Sequence, residues 1–439
     1  MNEGHKPYNL NWVDRFIQEI KPFVYVREQD QLLILVPNQV YRLNQSGVSI
    51  LQYLLKGGSI HQLLDTVGDS DERRLELHYF FCDLRAVVCG CLCETDRREA
   101  VSYYEFCGAP NEYPVLSEIA VTYRCNLKCR FCYVGERDYR EMNTNDVKKV
   151  IFKIFNEAQV PSVSFTGGEP LLRDDITELI DYASGIGMWT NLITNGTLLN
   201  ERLVEGLKGS GLRSTQVSIE GSNAGVHDRL TGVPGSFDAT VNGIRLLMQA
   251  GISVHTNTTV SRGNLLDLIN IVGFVEELDL KRFSMNLLIP CGAANRDRKL
   301  WVSYDEIGAY ILKVKERAES AGIQFLWYSP VPICKFNPIA YGFGNKSCAA
   351  ITGLLSIDPG GNIIPCSSWS MPVGNLLKKS FQSIWNSPML SYFKSADYAP
   401  AQCHQCSYFD ICKGACPLYW KVHNLEELDG RALRLSHIQ

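Results

Sequence analysis

"SEIAVTYRCNLKCRFCY" runs from Ser117 to Tyr133. Its first seven residues read as a β-strand. The remainder sets Cys125, Cys129 and Cys132 at the spacing C-x3-C-x2-C. Cysteines this close, in a chain that opens without an export signal, point to metal rather than to disulfides. A zinc knuckle stays open on this local sequence, but it wants a fourth Cys or His nearby. The flanking "VTYRCNLKCRFCYVGERDYREMN" supplies none. Three thiolates suit a centre that keeps one position free for chemistry, the logic of a catalytic zinc site. A [4Fe–4S] cube normally takes four thiolates, so three leave one iron open.

The strand before the loop is the first of a series. "SEIAVTY", "SVSFTGG", "TNLITNG", "STQVSIEG", "GISVHTNTTV" and "KRFSMNLLIP" alternate with helical stretches such as "NTNDVKKVIFKIFNEA" and "FDATVNGIRLLMQAG". This alternation predicts an α/β fold over residues 113–329, a parallel sheet open or partly closed as a (β/α)6 barrel. Ligands of such sheets sit at the carboxyl ends of the strands, where the cysteine loop falls.

Residues 1–95 have another pattern. An amphipathic helix is expected over Trp12 to Ile20. Short strands follow in "FVYVREQDQLLILVPNQVYRLN", with a turn at Gln29–Asp30. Three helices come next: "QSGVSILQYLLKGG", "SIHQLLDTV" and "SDERRLELHYFFCDLRAVV". The result is a small winged-helix-like α+β module. Cys82, Cys89, Cys91 and Cys93, in "FFCDLRAVVCGCLC", read as buried small hydrophobes. Residues 330–439 are rich in cysteine and in turns, and are expected to be held by metal rather than by a large apolar core.

The 439 residues allow about three domains. A net charge of -4 gives no reason to expect a nucleic-acid or anionic-membrane partner. No apolar run reaches the ~18 residues of a membrane span. The opening "MNEGHKPYNLNWVDRF" lacks an apolar core of signal length, so a reducing, cytoplasmic location is expected.

C-x3-C-x-aromatic-C, with Phe131 as the aromatic, resembles the signature of the radical S-adenosylmethionine (radical SAM) enzymes. The resemblance implies a [4Fe–4S] cluster on Cys125, Cys129 and Cys132, with SAM on the open iron. It also implies reductive cleavage of SAM and hydrogen abstraction by a 5′-deoxyadenosyl radical. The cofactor carries the hard chemistry and the protein orients it. Other segments match in order. "TGGEP" presents Thr166, Gly167, Gly168 and Glu169, the glycines for close backbone approach and Glu169 to accept from the SAM ammonium. "ITNGT" places Asn195 near the adenosine. "VSIEG" offers Ser218 to the ribose and Glu220 near the mouth. Arg229 in "VHDRLTG" is expected on the SAM carboxylate. Asn257, on the fifth strand, is either a SAM contact or an amide bonded only to protein. No side chain stands out as a catalytic acid or base.

Cys348-x12-Gly361-x4-Cys366, followed by Cys403-x2-Cys406-x5-Cys412-x3-Cys416, resembles the SPASM domain, which carries auxiliary Fe–S clusters. Two zinc pairs stay open on the second spacing. The resemblance implies an inner cluster on Cys348, Cys366 and Cys416, with Cys334 as the best fourth ligand. It implies an outer cluster on Cys403, Cys406 and Cys412. The tail cysteine that should complete the outer cluster is missing from "PLYWKVHNLEELDGRALRLSHIQ". His423, Glu426, Glu427 and His437 are the tail residues able to replace it, unless an exogenous ligand or nothing takes that place; alternatively the C-x2-C-x5-C-x3-C run shares one cluster.

The N-terminal module resembles the peptide-binding domain of the PQQ-pathway peptide chaperone, the RiPP recognition element. The likeness rests on the Arg27–Asp30 turn, "LLILVPNQVYRLNQSGVSILQYL" and "GSIHQLLDTV". Such modules add a leader peptide as a strand to a sheet edge. The whole then reads as a peptide maturase acting on a ribosomally made precursor, with flavodoxin or ferredoxin as electron donor. An enzyme of cofactor biosynthesis or metalloenzyme maturation, of the tetrapyrrole-tailoring type, is the alternative. A non-catalytic Fe–S carrier would need neither "TGGEP" nor "VSIEG".

Overall fold

The computed structural model describes residues 8–89, 101–103, 112–137, 139–423 and 425–429. The chain divides into two compact units, residues 1–105 with 111–115, and residues 106–110 with 116–439.

The first unit opens with α1 (Val13–Ile20), whose Val13, Phe16, Ile17 and Ile20 form one buried stripe. Strands β1 (Val24–Arg27), β2 (Leu32–Leu35) and β3 (Gln39–Leu43) form an antiparallel meander. Helices α2 (Gln45–Leu55), α3 (Ile60–Val67) and α4 (Asp71–Cys89) pack their apolar faces onto the same core. Asn44 caps α2 and Ser59 caps α3, each accepting a backbone N–H from the first turn.

This unit runs past residue 95. Strand β4 (Val101–Tyr103) pairs antiparallel with β3. Buried Arg27 bonds both oxygens of Asp30 at 2.8 Å and also donates to the carbonyls of Tyr113 and Pro114, at 3.0 and 2.6 Å. A fork with five donors can hold a turn and a distant segment at once. Val115 packs on Leu32 and Ile34. Residues 112–115 therefore belong with the first unit. Cys82 is half-buried, and Cys89 is exposed at the end of α4, so Cys89 is not the buried hydrophobe expected. Cys91 and Cys93 lie outside the described residues.

In the second unit β5 (Leu116–Thr122), β6 (Ser162–Gly167), β7 (Trp189–Thr194), β8 (Ser214–Ser218), β9 (Ser253–Val260), β10 (Arg282–Leu287) and β11 (Gln324–Trp327) lie parallel, each beside the next. The first six are the strands read from the sequence, and β11 adds a seventh. The crossovers carry α5 (Thr144–Asn156), α6 (Ile176–Gly185), α7 (Glu201–Gly209), α8 (Ala224–Thr231) with α9 (Ser236–Gln249), α10 (Leu268–Glu277) and α11 (Tyr304–Ser320). β5 and β11 do not pair, so the barrel stays open between them.

On its outer side β5 pairs in parallel with β12 (Leu354–Ile357), which continues through β13 (Asn362–Ile364) to β14 (Gly374–Asn375). The cysteine-rich segment thus extends the main sheet. Within it Leu355, Ile363, Phe381, Trp385 and Phe393 are all buried. Metal is therefore not its sole support. Among the described residues no helix is long and apolar enough to cross a membrane.

Candidate active site

The loop after β5 is fastened at several points. Lys128 and Arg130 donate backbone N–H groups to the Thr231 and Leu230 carbonyls, at 2.9 and 3.0 Å. The Cys132 carbonyl accepts from Ala293 N–H at 2.8 Å. Tyr133 Oη donates to the Gly167 carbonyl at 2.9 Å. Cys125 Sγ accepts from Leu127 N–H at 3.4 Å and lies 3.9 Å from Asn195 Nδ2. Cys125, Cys129 and Cys132 all line one cavity of about 290 Å3, at the carboxyl ends of the parallel strands. Burial pushes the Cys129 thiol well above the usual range, and the nearby negative charge of Glu220 adds to the shift. A buried thiolate group of this kind needs positive charge beside it, which a metal cluster provides.

The glycines of "TGGEP" are required by the chain itself. At Gly167, with φ of 141°, a Cβ would lie 1.9 Å from the Thr122 carbonyl oxygen. At Gly168 it would lie 2.3 Å from the Arg124 carbonyl oxygen. Gly168 and Glu169 donate N–H groups to those two carbonyls at 2.8 Å. The turn is thereby locked to the start of the cysteine loop.

Glu169 is fully buried and points into the protein. Its carboxylate accepts from Leu171 N–H at 3.0 Å, Thr194 Oγ1 at 2.7 Å and Asn195 N–H at 2.8 Å. It is not among the residues lining the cavity. The structure gives it the role of orienting Asn195, whose amide donates to Asn126 Oδ1 at 2.9 Å within the cysteine loop. Thr166, Gly167, Gly168, Asn195, Ser218, Glu220 and Asn257 do line the cavity. Asn257 already holds Asn286 and Ser284, at 2.7 and 2.9 Å. Arg229 does not line this cavity. It lies on the exposed face of α8 and donates to the Gly225 and Gly263 carbonyls. Helical periodicity explains this, because His227, Leu230 and Thr231 take the buried face.

Two groups escaped the sequence reading. His227 lines the cavity. Its Nδ1 accepts from Glu220 N–H at 3.1 Å, which leaves Nε2 as the protonated nitrogen, buried and without a partner. Cys291 follows β10, and a cysteine at a strand's carboxyl end was the available signal. Its thiol bonds with the Ser368 hydroxyl, Cys132 is among its charged neighbours, and its own charge is felt at Cys416.

The C-terminal cysteines fall into two groups. Cys348, Cys366 and Cys416 are mutual neighbours in a buried setting. Arg137 ties this group to the cysteine loop, donating to the Ser367 and Tyr133 carbonyls at 2.9 Å. Cys334 does not join them, contrary to expectation. It shares a second cavity with Cys403, Cys406 and Cys412. The cause is the chain path, since Cys334 follows β11 on a loop that packs against the 403–414 turn. Of the tail candidates, His423 stacks on Tyr419 and Glu427 accepts from Tyr419 Oη at 2.6 Å. The Glu426 side chain and His437 lie outside the described residues. Among the described residues no three His, Cys, Asp or Glu side chains gather closely enough for a single metal ion.

Burial raises the Glu169 carboxyl to a pKa of about 7 and that of Glu220 to about 8. Each binds a proton more tightly folded than unfolded, so stability falls as pH rises through its range. Burial lowers His227 and His255 to about 4. Their contribution has the opposite sign and is lost as pH falls below about 6.5. From pH 6.5 to 8 the carboxyls titrate and these histidines do not. Metal-free protein should therefore lose stability across that window, and Glu220→Gln should flatten the slope. A denaturant midpoint that stayed constant in the wild type would contradict this.

A partial parallel barrel with a three-thiolate loop on its first strand defines an iron–sulfur enzyme with an open cluster position. Comparison with known proteins agrees. The Radical SAM superfamily model matches residues 119–274, and the SPASM iron-sulfur cluster-binding domain model matches residues 348–407. The AdoMet-dependent heme synthase of Oleidesulfovibrio alaskensis is 30% identical over 321 residues, 67% of this chain and 80% of that protein. The PqqA peptide cyclase of Bradyrhizobium diazoefficiens is 26% identical over 318 residues, 69% of this chain and 81% of that one. Among solved structures, Streptococcus suis SuiB bound to precursor peptide SuiA has a similar fold. Its TM-score is 0.70 at 17% identity, covering 90% of this chain and 95% of that chain. The chain belongs to the radical SAM superfamily. It is an enzyme of that superfamily, with a [4Fe–4S] cluster, SAM and auxiliary Fe–S clusters as cofactors.

Proposed function

We propose that this enzyme modifies a ribosomally made precursor peptide. The observation that carries the reading is the extent of the fold likeness. SuiB matches 90% of this chain, more than the second unit contains, so the shared fold reaches into the first unit. We assign the first unit as the leader-recognition module, residues 116–329 as the catalytic core and 330–439 as the auxiliary-cluster region. In the first unit β3 is paired on both sides, by β2 and β4. An added strand would join β1 or β4, the two edges of that sheet.

Cys125, Cys129 and Cys132 would hold the open cluster. When bound, the cluster and SAM supply one-electron cleavage to a carbon radical that takes a hydrogen atom. The protein's own part is positional. Gly167 and Gly168 bring the β6 turn against the cysteine loop. Thr166, Asn195, Ser218 and Asn257 present polar groups to the cavity, and Glu169 holds Asn195. His227, whose buried Nε2 has no partner among the described residues, lines the same space. A cytoplasmic, reducing setting with flavodoxin or ferredoxin as electron donor suits the thiols of the described residues, all of which are free.

A tetrapyrrole substrate is the second reading. It is favoured by the 30% identity to a heme synthase, whose match covers only 67% of this chain. A turnover assay separates the two. Reduced enzyme and SAM are incubated with candidate precursor peptides, or with an iron porphyrin. The expected result is 5′-deoxyadenosine formation coupled to a mass change in the peptide alone. Coupling to the porphyrin alone would overturn the peptide reading.

A further inference from the structure

The outer group of cysteines includes a residue from upstream of the C-terminal run, Cys334. Cys334, Cys403, Cys406 and Cys412 line a cavity of about 310 Å3 whose other walls include Ile333, Tyr408 and Phe409. Four thiols around a mostly apolar space have few polar groups beside them to stabilise their charged forms, although Cys334 and Cys406 are exposed. Such a donor set is completed by a cation or a cationic cluster.

The backbone shows where negative sulfur is expected. Cys412 Sγ accepts N–H groups from Gly414 and Ala415, and a third from Ile333. Lys413, Gly414 and Ala415 all have positive φ, at 52°, 72° and 61°. Successive N–H groups turned inward in this way form an anion-binding concavity of the kind found around Fe–S centres. The third donor comes from the residue next to Cys334, so the two segments are joined at the sulfur itself. The Cys334 loop is fixed from behind as well. Lys335, with its side chain 4% exposed, pairs with Asp305 at 3.0 Å on α11. Phe336 stacks on Tyr341. Cys403 has Cys412, Cys334 and Cys406 as its charged neighbours.

We propose that Cys334, Cys403, Cys406 and Cys412 bind one auxiliary Fe–S cluster, with Cys334 as its fourth thiolate and no ligand from the tail. This rests on the reading that the C-terminal region carries more than one cluster. A single metal ion fits the geometry less well, because no three of these side chains gather tightly enough to hold one. Removing Cys334 from the inner group leaves Cys348, Cys366 and Cys416 one thiolate short. Cys291 is a further thiol near that group: its charge is felt at Cys416, and it bonds with Ser368, two residues beyond Cys366.

Iron and sulfide counts on the anaerobically reconstituted full chain test the assignment. Wild type should hold about twelve irons, three cubes. Cys334→Ala and Cys403→Ala should each lose about four, and the double variant should lose the same four, because both remove one cluster. Cys334→Ala with Cys348→Ala should lose about eight. His423→Ala and Glu427→Gln should lose none. Cys334→Ser should keep its iron and change the electron paramagnetic resonance signal of one cluster only, which guards against a variant that merely misfolds. The proposal is overturned if Cys334→Ala keeps all twelve. It is also overturned if Cys334→Ala and Cys403→Ala lose eight together while Cys334→Ala adds nothing to Cys348→Ala. A wild-type count near four would instead overturn the multi-cluster reading on which the proposal rests.

Discussion

Replacing Cys125, Cys129 and Cys132 together by Ala should abolish 5′-deoxyadenosine formation under a strong reductant. The auxiliary iron should remain. The three thiols line one cavity, and the C-terminal cysteines form separate groups around other residues. Loss of the first cluster therefore removes no ligand from the others. The variant should still fold, because the loop is fastened by backbone hydrogen bonds from Lys128, Arg130 and Cys132 that need no cysteine side chain. The rate should fall to background rather than by a modest factor, since these three thiolates would hold the cluster that supplies the electron to SAM. High-performance chromatography of the nucleoside, with an iron count on the same sample, checks both halves. Native turnover in the triple variant would refute the site assignment.

Gly167→Ala should be among the most damaging single substitutions in the chain. Its φ of 141° is a conformation that residues with a Cβ avoid, and the added carbon would lie 1.9 Å from the Thr122 carbonyl oxygen. That contact is with backbone, so no side chain can rotate away. Strain and overpacking together should destabilise metal-free protein by about 3–5 kcal/mol. Relief would require β6 to separate from β5, which would also break the Gly168 and Glu169 hydrogen bonds to the cysteine loop. SAM binding should be lost with it. Gly185→Ala in α6 is the control, since the added Cβ would meet nothing within 4 Å and the φ there is ordinary. That change should be neutral or stabilise by up to about 1 kcal/mol. Denaturant midpoints of the two variants, side by side, decide the matter.

Much of the architecture was legible in linear order. Alternating β and α runs encode a parallel sheet because each crossover helix needs its own periodic apolar face, and both periods are visible without coordinates. The C-x3-C-x2-C loop was legible for the same kind of reason, since its ligands are neighbours in the chain. The turn glycines were legible as glycines, but their partner was not. The carbonyls they approach belong to the end of β5 and the loop after it, more than forty residues earlier.

What spacing could not reveal was which distant side chains meet. Arg229 falls on the exposed side of α8 because the helix had to bury Leu230 and His227 instead. Glu169 looks inward because Thr194 and Asn195 come to it from the next strand. The N-terminal boundary moves to Val115 because Arg27 reaches across to Tyr113 and Pro114. The cysteine grouping follows the same rule. Cys334 stands fourteen residues before Cys348 in the sequence, yet it meets the 403–412 turn. Separation along a chain constrains distance only over a few residues, and beyond that the packing of strands and loops sets every contact.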